Sequence, residues 1–336
     1  MSNPIAVYSG NTVIYWSAIV ISLGLLASLL MTLSLQRSDR KPGFLVYLLL
    51  PLTVILSVPL CRLLHWYCHA EQYGSFAGAM TDYSSGSYVL AGALLGSWLA
   101  AWLAAWIATR LARQSCASLL DAFAPGAALA VAFIRLSALF NSSCRSKIAV
   151  TTPFLQHLPL ASPIVNSAGE LDYRFATFFV HFLIMLLICH WLLRFFFARR
   201  DQAMLSGAQE GNVARMFLVL YSASELVLDS TRYDSSFLPI NGFVSFVQIV
   251  AAVGICAVLV YYTVHSHRAG SSGRLFRILI WVGWVACGAG VGITEYLVQR
   301  HGDWYLSCYG AMGLCCFMMA VLVYRMYKSC CDEVED

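Results

Sequence analysis

The amino-acid sequence predicts an all-α integral membrane protein of about nine transmembrane helices. Three observations carry that expectation. The 336 residues are 60% hydrophobic and 11% charged, whereas soluble chains carry roughly 25% charged residues. The mean hydropathy is +0.71, so lipid rather than water must solvate much of the surface. The apolar residues also gather into runs of ~20, the length a hydrocarbon core demands of a helix.

In order, the runs are Val13–Leu35, Phe44–Tyr67, Tyr88–Ile107, Leu119–Phe140, Phe175–Phe197, Val213–Leu228, Gly242–Val264, Leu275–Leu297 and Trp304–Tyr327. The first has no basic flank before it and no small-residue cleavage site after it. It therefore reads as a retained helix rather than a secretory signal. Lysine and arginine orient the set, because they concentrate in cytoplasmic loops. With the N-terminus outside, 14 of the 21 basic residues fall on the inner side, from Arg37 to Lys328. Five fall outside: Arg145, Lys147, Arg174, Arg232 and Arg300. The last two, Arg62 and Arg135, lie within runs. The net charge of +4 is then a topology signal rather than a nucleic-acid footprint, and the acidic end 332–336 reads as a solvated tail.

The connections carry further information. The outer segment from Cys68 to Ser87 is rich in Gly, Ser and Tyr, and that from Asn141 to Arg174 is the longest, with three prolines. Long loops in compact proteins tend to be functional, so a lid or small head over an outward-facing site is expected. Gly92 and Gly96 lie four apart, which permits close helix contact. Of the twelve cysteines, seven lie in runs and behave as small apolar residues. Cys68 and Cys144 alone lie near the outer side, and their spacing gives no support to a disulfide. Cys330 and Cys331 are candidates for acylation or for no role. Phosphate-binding glycine loops, zinc-ligand spacings and nucleophile elbows are missing, so neither a metal nor a cofactor is expected. The halves show no inverted repeat, which argues against a transporter.

Charged residues inside the runs are the candidate site. A charge near the bilayer centre costs at least ~2.5–3.5 kcal/mol and normally faces a cavity or a partner. Arg135 presents a rigid fork suited to phosphate or carboxylate; its alternative is a pair with Glu225 or Asp229. Arg62 lies about two turns from the outer end of its run and is able to snorkel there. Asp121 and Arg135 share a helix but stand ~21 Å apart, too far to pair; Asp121 reads chiefly as a helix N-cap. Tyr221, Glu225 and Asp229 recur every four residues and Arg232 follows at plus three, which forms one polar stripe. That stripe is either a lattice of ion pairs with Arg135 and Arg62 or a cavity wall fit for acid–base work. His65, His181 and His190 read as hydrogen-bonded packing residues. Glu295 has no evident partner.

The same residues resemble the prolipoprotein diacylglyceryl transferase family over about residues 10–260. Ile14-Tyr15-Trp16-Ser17 resembles its opening aromatic–Tyr–Gly segment, and Cys61-Arg62-Leu63 its Gly-Ala-Arg-Leu. Gly86–Gly96 resembles its glycine-rich third helix. Asp121, Ala124-Pro125 and the run from Arg135 to Asn141 resemble its central motif, Asp and Ala-Pro followed by Arg-Ile-Gly-Asn-Phe-hydrophobic-Asn-Gly. Tyr221, Asp229 and Arg232 resemble its late Tyr, Glu and Arg, and Gln248 the glutamine that opens its last shared helix. Departures accompany the likeness. Ser137-Ala138 replaces Gly-Asn, Ser142-Ser143 replaces Gly-Glu, and the third helix lacks a histidine that many members carry. Glu225 stands where the family has a second arginine.

The resemblance implies seven family-core helices with the N-terminus outside, residues 1–265, followed by a two-helix extension and acidic tail, residues 266–336. It implies a bacterial plasma-membrane enzyme with a cytoplasmic C-terminus. The reaction implied is transfer of a diacylglyceryl group from phosphatidylglycerol to the lipobox cysteine thiol of a prolipoprotein, releasing glycerol phosphate. Arg135, Tyr221, Glu225 and Asp229 are then the catalytic candidates, and Arg62, Asn141, Arg232 and Trp16 the substrate-binding ones. Arg135 would hold the lipid phosphate. The alternative is a non-catalytic descendant that binds phospholipid or lipopeptide, and it predicts an Arg135–Glu225 contact.

Overall fold

The computed structural model describes residues 4–331 except 10–11, 40–43, 74, 82–89, 113–114, 142–143, 166–168, 207–209, 236, 238–241 and 303. The acidic tail, Ser142-Ser143 and the start of the third run therefore lie outside the described residues. In chain order the elements are β1 (Ile5–Ser9), β2 (Thr12–Tyr15), α1 (Trp16–Ser38), α2 (Phe44–Cys68), α3 (Phe76–Thr81) and α4 (Leu90–Ala112). There follow α5 (Cys116–Leu136), a 3-10 turn (Ser137–Phe140), α6 (Pro153–Gln156), β3 (Ala161–Val165) and β4 (Leu171–Phe175). The chain ends with α7 (Thr177–Ser206), α8 (Asn212–Thr231), α9 (Phe246–Ala269), α10 (Arg274–Arg300) and α11 (Tyr305–Cys331).

Each of the nine apolar runs is thus a long helix. Eight are long and apolar enough to cross a membrane. The exception is α8, which carries Arg215, Glu225 and Asp229 within 20 residues. It is long enough to span but too polar to face lipid on all sides. Accordingly it is enclosed by α5, α7, α9 and α11. The other central helix, α5, packs on α1, α4, α7 and α8, and its apolar window is 56% buried.

Among the described residues, three runs begin at least two residues before their helices do. Val13–Tyr15 belong to β2, which pairs antiparallel with β1, because Thr12, Val13, Ile14 and Tyr15 suit a strand. Phe175 ends β4 rather than opening a helix. The seventh helix starts at Phe246 instead of Gly242, set by a capping box in which Ser245 Oγ accepts from Gln248 N (3.1 Å) and Gln248 Oε1 accepts from Ser245 N (2.9 Å). Such a box satisfies two backbone donors that a helix start leaves open.

The glycine pair expected to allow close contact does so. A Cβ at Gly92 would stand 2.5 Å from Cys61 Cα, and one at Gly96 2.4 Å from Ser57 Cα. Helices α2 and α4 therefore touch backbone to backbone, which only glycine permits. Ser57 Oγ adds a hydrogen bond to Ala93 O at 3.0 Å.

The long loop after Asn141 folds into a small β cap. Strands β3 and β4 pair from Ala161↔Phe175 to Val165↔Leu171. The cap is bonded to the end of α8 by Lys147 N to Thr231 O (2.8 Å) and by Ser146 Oγ to Thr231 O (2.9 Å). It is the head expected over this end of the bundle.

Candidate active site

The end of α5, the start of α7, the end of α8 and the start of α9 meet under this cap, and there the charged residues converge. Arg135 lies in the last turn of α5, where a cation faces the negative end of the helix dipole. It is 2% exposed. Its Nη2 donates to Glu225 Oε1 at 2.6 Å, a contact in which both side chains are almost wholly buried. The same oxygen accepts a hydrogen bond from the Tyr221 hydroxyl. His181, on α7, brings Nε2 to 3.7 Å from it, too far for a hydrogen bond. Arg135 Nη1 donates to Cys144 Sγ at 3.2 Å. Arg135 Nε, Glu225 Oε2 and His181 Nε2 are buried without a hydrogen-bond partner.

A second layer lies one turn further along α8. Arg232 Nη1 donates to Asp229 Oδ1 at 3.2 Å and its Nε to Asp234 Oδ1 at 3.0 Å. Asp229 Oδ2 accepts from Ser245 Oγ at 2.5 Å, and Asp234 Oδ2 accepts from Cys144 N at 3.0 Å. Burial works to raise the Asp234 carboxyl, but the Arg232 guanidinium and its hydrogen bonds outweigh burial and hold it below the usual carboxylate value. The layers therefore share Cys144: its thiol touches Arg135 and its amide is fixed through Asp234 to Arg232.

The structure thus brings Arg135 of α5 against the stripe of Tyr221, Glu225, Asp229 and Arg232, so that the four catalytic candidates and Arg232 form one cluster. Between Glu225 and Asp229, it selects Glu225 as the partner of Arg135. Trp16 and Asn141 lie at the same end. The Trp16 ring stacks on Phe140 at 6.1 Å between centroids, and Asn141 O accepts from Arg145 Nη2 at 3.1 Å. Arg62 is buried rather than snorkelling, at 2% exposed. Its Nη2 donates to Ala79 O of α3 at 2.5 Å, so the segment after α2 folds back over this guanidinium.

Asp121 is a correction. It sits inside α5, whose N-cap is Ser115, and so does not cap its own helix. Instead it accepts from Gly211 N at 2.6 Å and Ala214 N at 2.9 Å, which caps α8 across the bundle. Its aim is set by packing of α5 against α8, which spacing along one helix does not reveal.

The other residues singled out in the sequence are placed as follows. Cys68 and Cys144 are free thiols. Cys330 is buried and its thiol faces Tyr262 O at 3.5 Å and Met326 O at 3.2 Å, a packing role. Glu295 Oε1 accepts from Gln299 Nε2 at 2.9 Å, and Gln299 Oε1 accepts from Lys147 Nζ at 2.9 Å. His190 is exposed on α7, and the His65 ring stacks on His69 at 4.4 Å. Among the described residues, no three His, Cys, Asp or Glu side chains converge as a metal site requires.

Cys144, His181 and Asp234 are site residues that sequence reasoning did not single out as such. The usable signal was position: Cys144 follows the Arg135–Asn141 motif by three residues, and Asp234 follows Arg232 by two.

A family comparison completes the assignment. The model of the prolipoprotein diacylglyceryl transferase family matches residues 4–264. The chain belongs to that family. Comparison with curated proteins returns no match. Membership carries a transferase-type function at the family level, with lipid and prolipoprotein as the general substrates. Arg135, Tyr221, Glu225, Asp229 and Arg232 all fall within the matched residues. Helices α10 and α11 lie beyond them.

Proposed function

We propose that the chain transfers a diacylglyceryl group from phosphatidylglycerol to the lipobox cysteine thiol of a prolipoprotein, in the plasma membrane of a bacterium. On this reading residues 1–265 form the catalytic core and residues 266–336 an added pair of helices and a tail. The N-terminus faces outward and the C-terminus the cytoplasm. The observation that carries the reading is the guanidinium of Arg135, buried at the capped end of the bundle of a family member. A buried guanidinium needs an anion, and a phosphodiester matches its fork.

The chemistry has two requirements: a thiolate nucleophile and stabilisation of the departing glycerol phosphate. Arg135 serves the second. Glu225 serves the first by taking the thiol proton, with Tyr221 holding its Oε1. One event then couples both steps. A protonated Glu225 releases its claim on Arg135, which frees the guanidinium for phosphate as the thiolate forms. Arg232 and Asp229 fix the end of α8, while Trp16 and Asn141 line the approach for the lipid and the signal peptide and Arg62, enclosed under α3, holds that segment in place.

A second reading is favoured by one specific observation. Glu225 occupies Arg135 at 2.6 Å, the contact expected of a descendant that binds lipid or lipopeptide without turnover. One experiment separates the two. Purified protein in phosphatidylglycerol micelles is mixed with a lipobox peptide and the peptide is weighed by mass spectrometry. Gain of one diacylglyceryl group, lost in Arg135→Ala, supports the transferase. Phosphatidylglycerol that co-purifies with the protein while the peptide stays unmodified, beside an active enzyme of the family, supports the binding protein.

A further inference from the structure

The mechanism above leaves one nucleophile of the site unused. Cys144 is buried in a small apolar nest with Ala138, Ala176 and Phe178. Packing alone is a poor account of it. Its backbone is left-handed at φ 57, a conformation that glycine or asparagine adopts at lower cost than cysteine. The amide is pinned to Asp234 and the thiol lies 3.2 Å from Arg135 Nη1. The site around it is also incomplete. Glu225 is 0% and Arg135 2% exposed, yet Glu225 Oε2 and Arg135 Nε have no hydrogen-bond partner. A cluster that buries such atoms has polar capacity reserved for something absent from the protein itself.

We propose that Cys144 is a resident acceptor for the diacylglyceryl group, so that the chain lipidates its own site. The proposal rests on the donor chemistry set out under Proposed function. A phosphate held by Arg135 lies beside the sulfur, because both use the same guanidinium. The Cys144 sulfur attacks the glyceryl carbon that carries the phosphate. An S–C bond forms and the C–O bond to phosphate breaks. The electron pair stays on the phosphate oxygen, and glycerol phosphate departs. The thiol proton passes to Glu225 Oε2 and from there to the leaving group. The product is a thioether, stable to hydrolysis, so Cys144 of each copy reacts once.

The test is peptide mapping of the full-length protein after incubation with phosphatidylglycerol vesicles, with and without a lipobox peptide. Trypsin releases Cys144 in the segment from Leu136 to Arg145, which follows Arg135 directly. The expected result without the peptide is this segment heavier by one diacylglyceryl group, with an equal amount of glycerol phosphate released. The gain should be absent in Cys144→Ser, and the wild-type mass needs no variant to fold. A free Cys144 thiol in protein that has modified the lipobox peptide overturns this inference and leaves the transferase standing. A free Cys144 together with an unmodified peptide overturns both.

Discussion

Removing one member of the Arg135–Glu225 pair is expected to harm the fold far more than removing both. At 2.6 Å and an effective dielectric constant of about 20, the attraction is about 6 kcal/mol. Burying each ion costs several kcal/mol, so the intact pair contributes little net stability. Deleting one charge removes the attraction and leaves the other ion buried, at a cost of about 3–5 kcal/mol. We therefore expect Glu225→Gln and Arg135→Met each to destabilise by that amount, and the double variant by much less than their sum. The coupling should reach the upper end of the 0.5–3 kcal/mol seen for contacting residues. Reversible unfolding in detergent micelles measures all four corners of the cycle. Glu225→Gln should also regain stability when phosphatidylglycerol is added, since a phosphate then replaces the missing carboxylate. Single variants costing under about 1 kcal/mol, or costs that simply add, would refute the buried pair.

Three other outcomes follow from particular contacts. Asp121→Ala should destabilise by about 1–3 kcal/mol in the same unfolding assay, because Gly211 N and Ala214 N lose a charged acceptor. Gly96→Leu should abolish detergent-stable protein, since its Cβ meets Ser57 Cα at 2.4 Å, whereas Gly288→Ala, with nothing within 4 Å, should leave the melting temperature unchanged. Asp234 has a folded pKa held below the unfolded value near ~3.9, so its stabilisation is present above that value and disappears as pH falls through the folded one. The stability gap between wild type and Asp234→Asn should therefore be full near pH 6 and shrink below about pH 4; a gap that widens on acidification would contradict the direction of the shift.

The helices were legible because lipid imposes a length and a composition that local sequence must meet. The stripe on α8 was legible for a similar reason, since a four-residue spacing fixes one face whatever the helix packs against. What spacing leaves open is the rotation of one helix against another. That rotation decides that Arg135 meets Glu225 and not Asp229, and that Asp121 reaches the start of α8 rather than its own N-terminus. Arg62 looked free to snorkel because its cover, Ala79, lies 17 residues away in a segment with no apolar periodicity. The strand Thr12–Tyr15 was absorbed into the first run because β-branched apolar residues satisfy both a hydropathy window and a strand. Cys144 escaped because its neighbours come from α5, α7 and the segment after α8, which only the tertiary fold brings together.

The helices beyond residue 264 acquire a physical role from the same reasoning. Helix α8 carries the charged stripe yet is too polar to present an open flank to lipid. Helices α5 and α7 cover the face that bears Glu225, and α11 covers another, where Tyr309 OH donates to Ser230 O at 3.2 Å. The cover is not passive at the capped end. Lys147 lies in the cap, two residues beyond Arg145 and beside the thread that joins Cys144 to Arg232. Burial lowers its amine from the ordinary value, and the Glu295 and Asp229 carboxylates oppose that shift. One of those carboxylates belongs to the family core and the other to α10. Glu295 is 2% exposed and is hydrogen-bonded to Lys147 through Gln299, which ties α10 to the cap. A hydrogen-bonded chain from the cap, Lys147 to Gln299 to Glu295, thus runs into α10 and ends outside the matched residues.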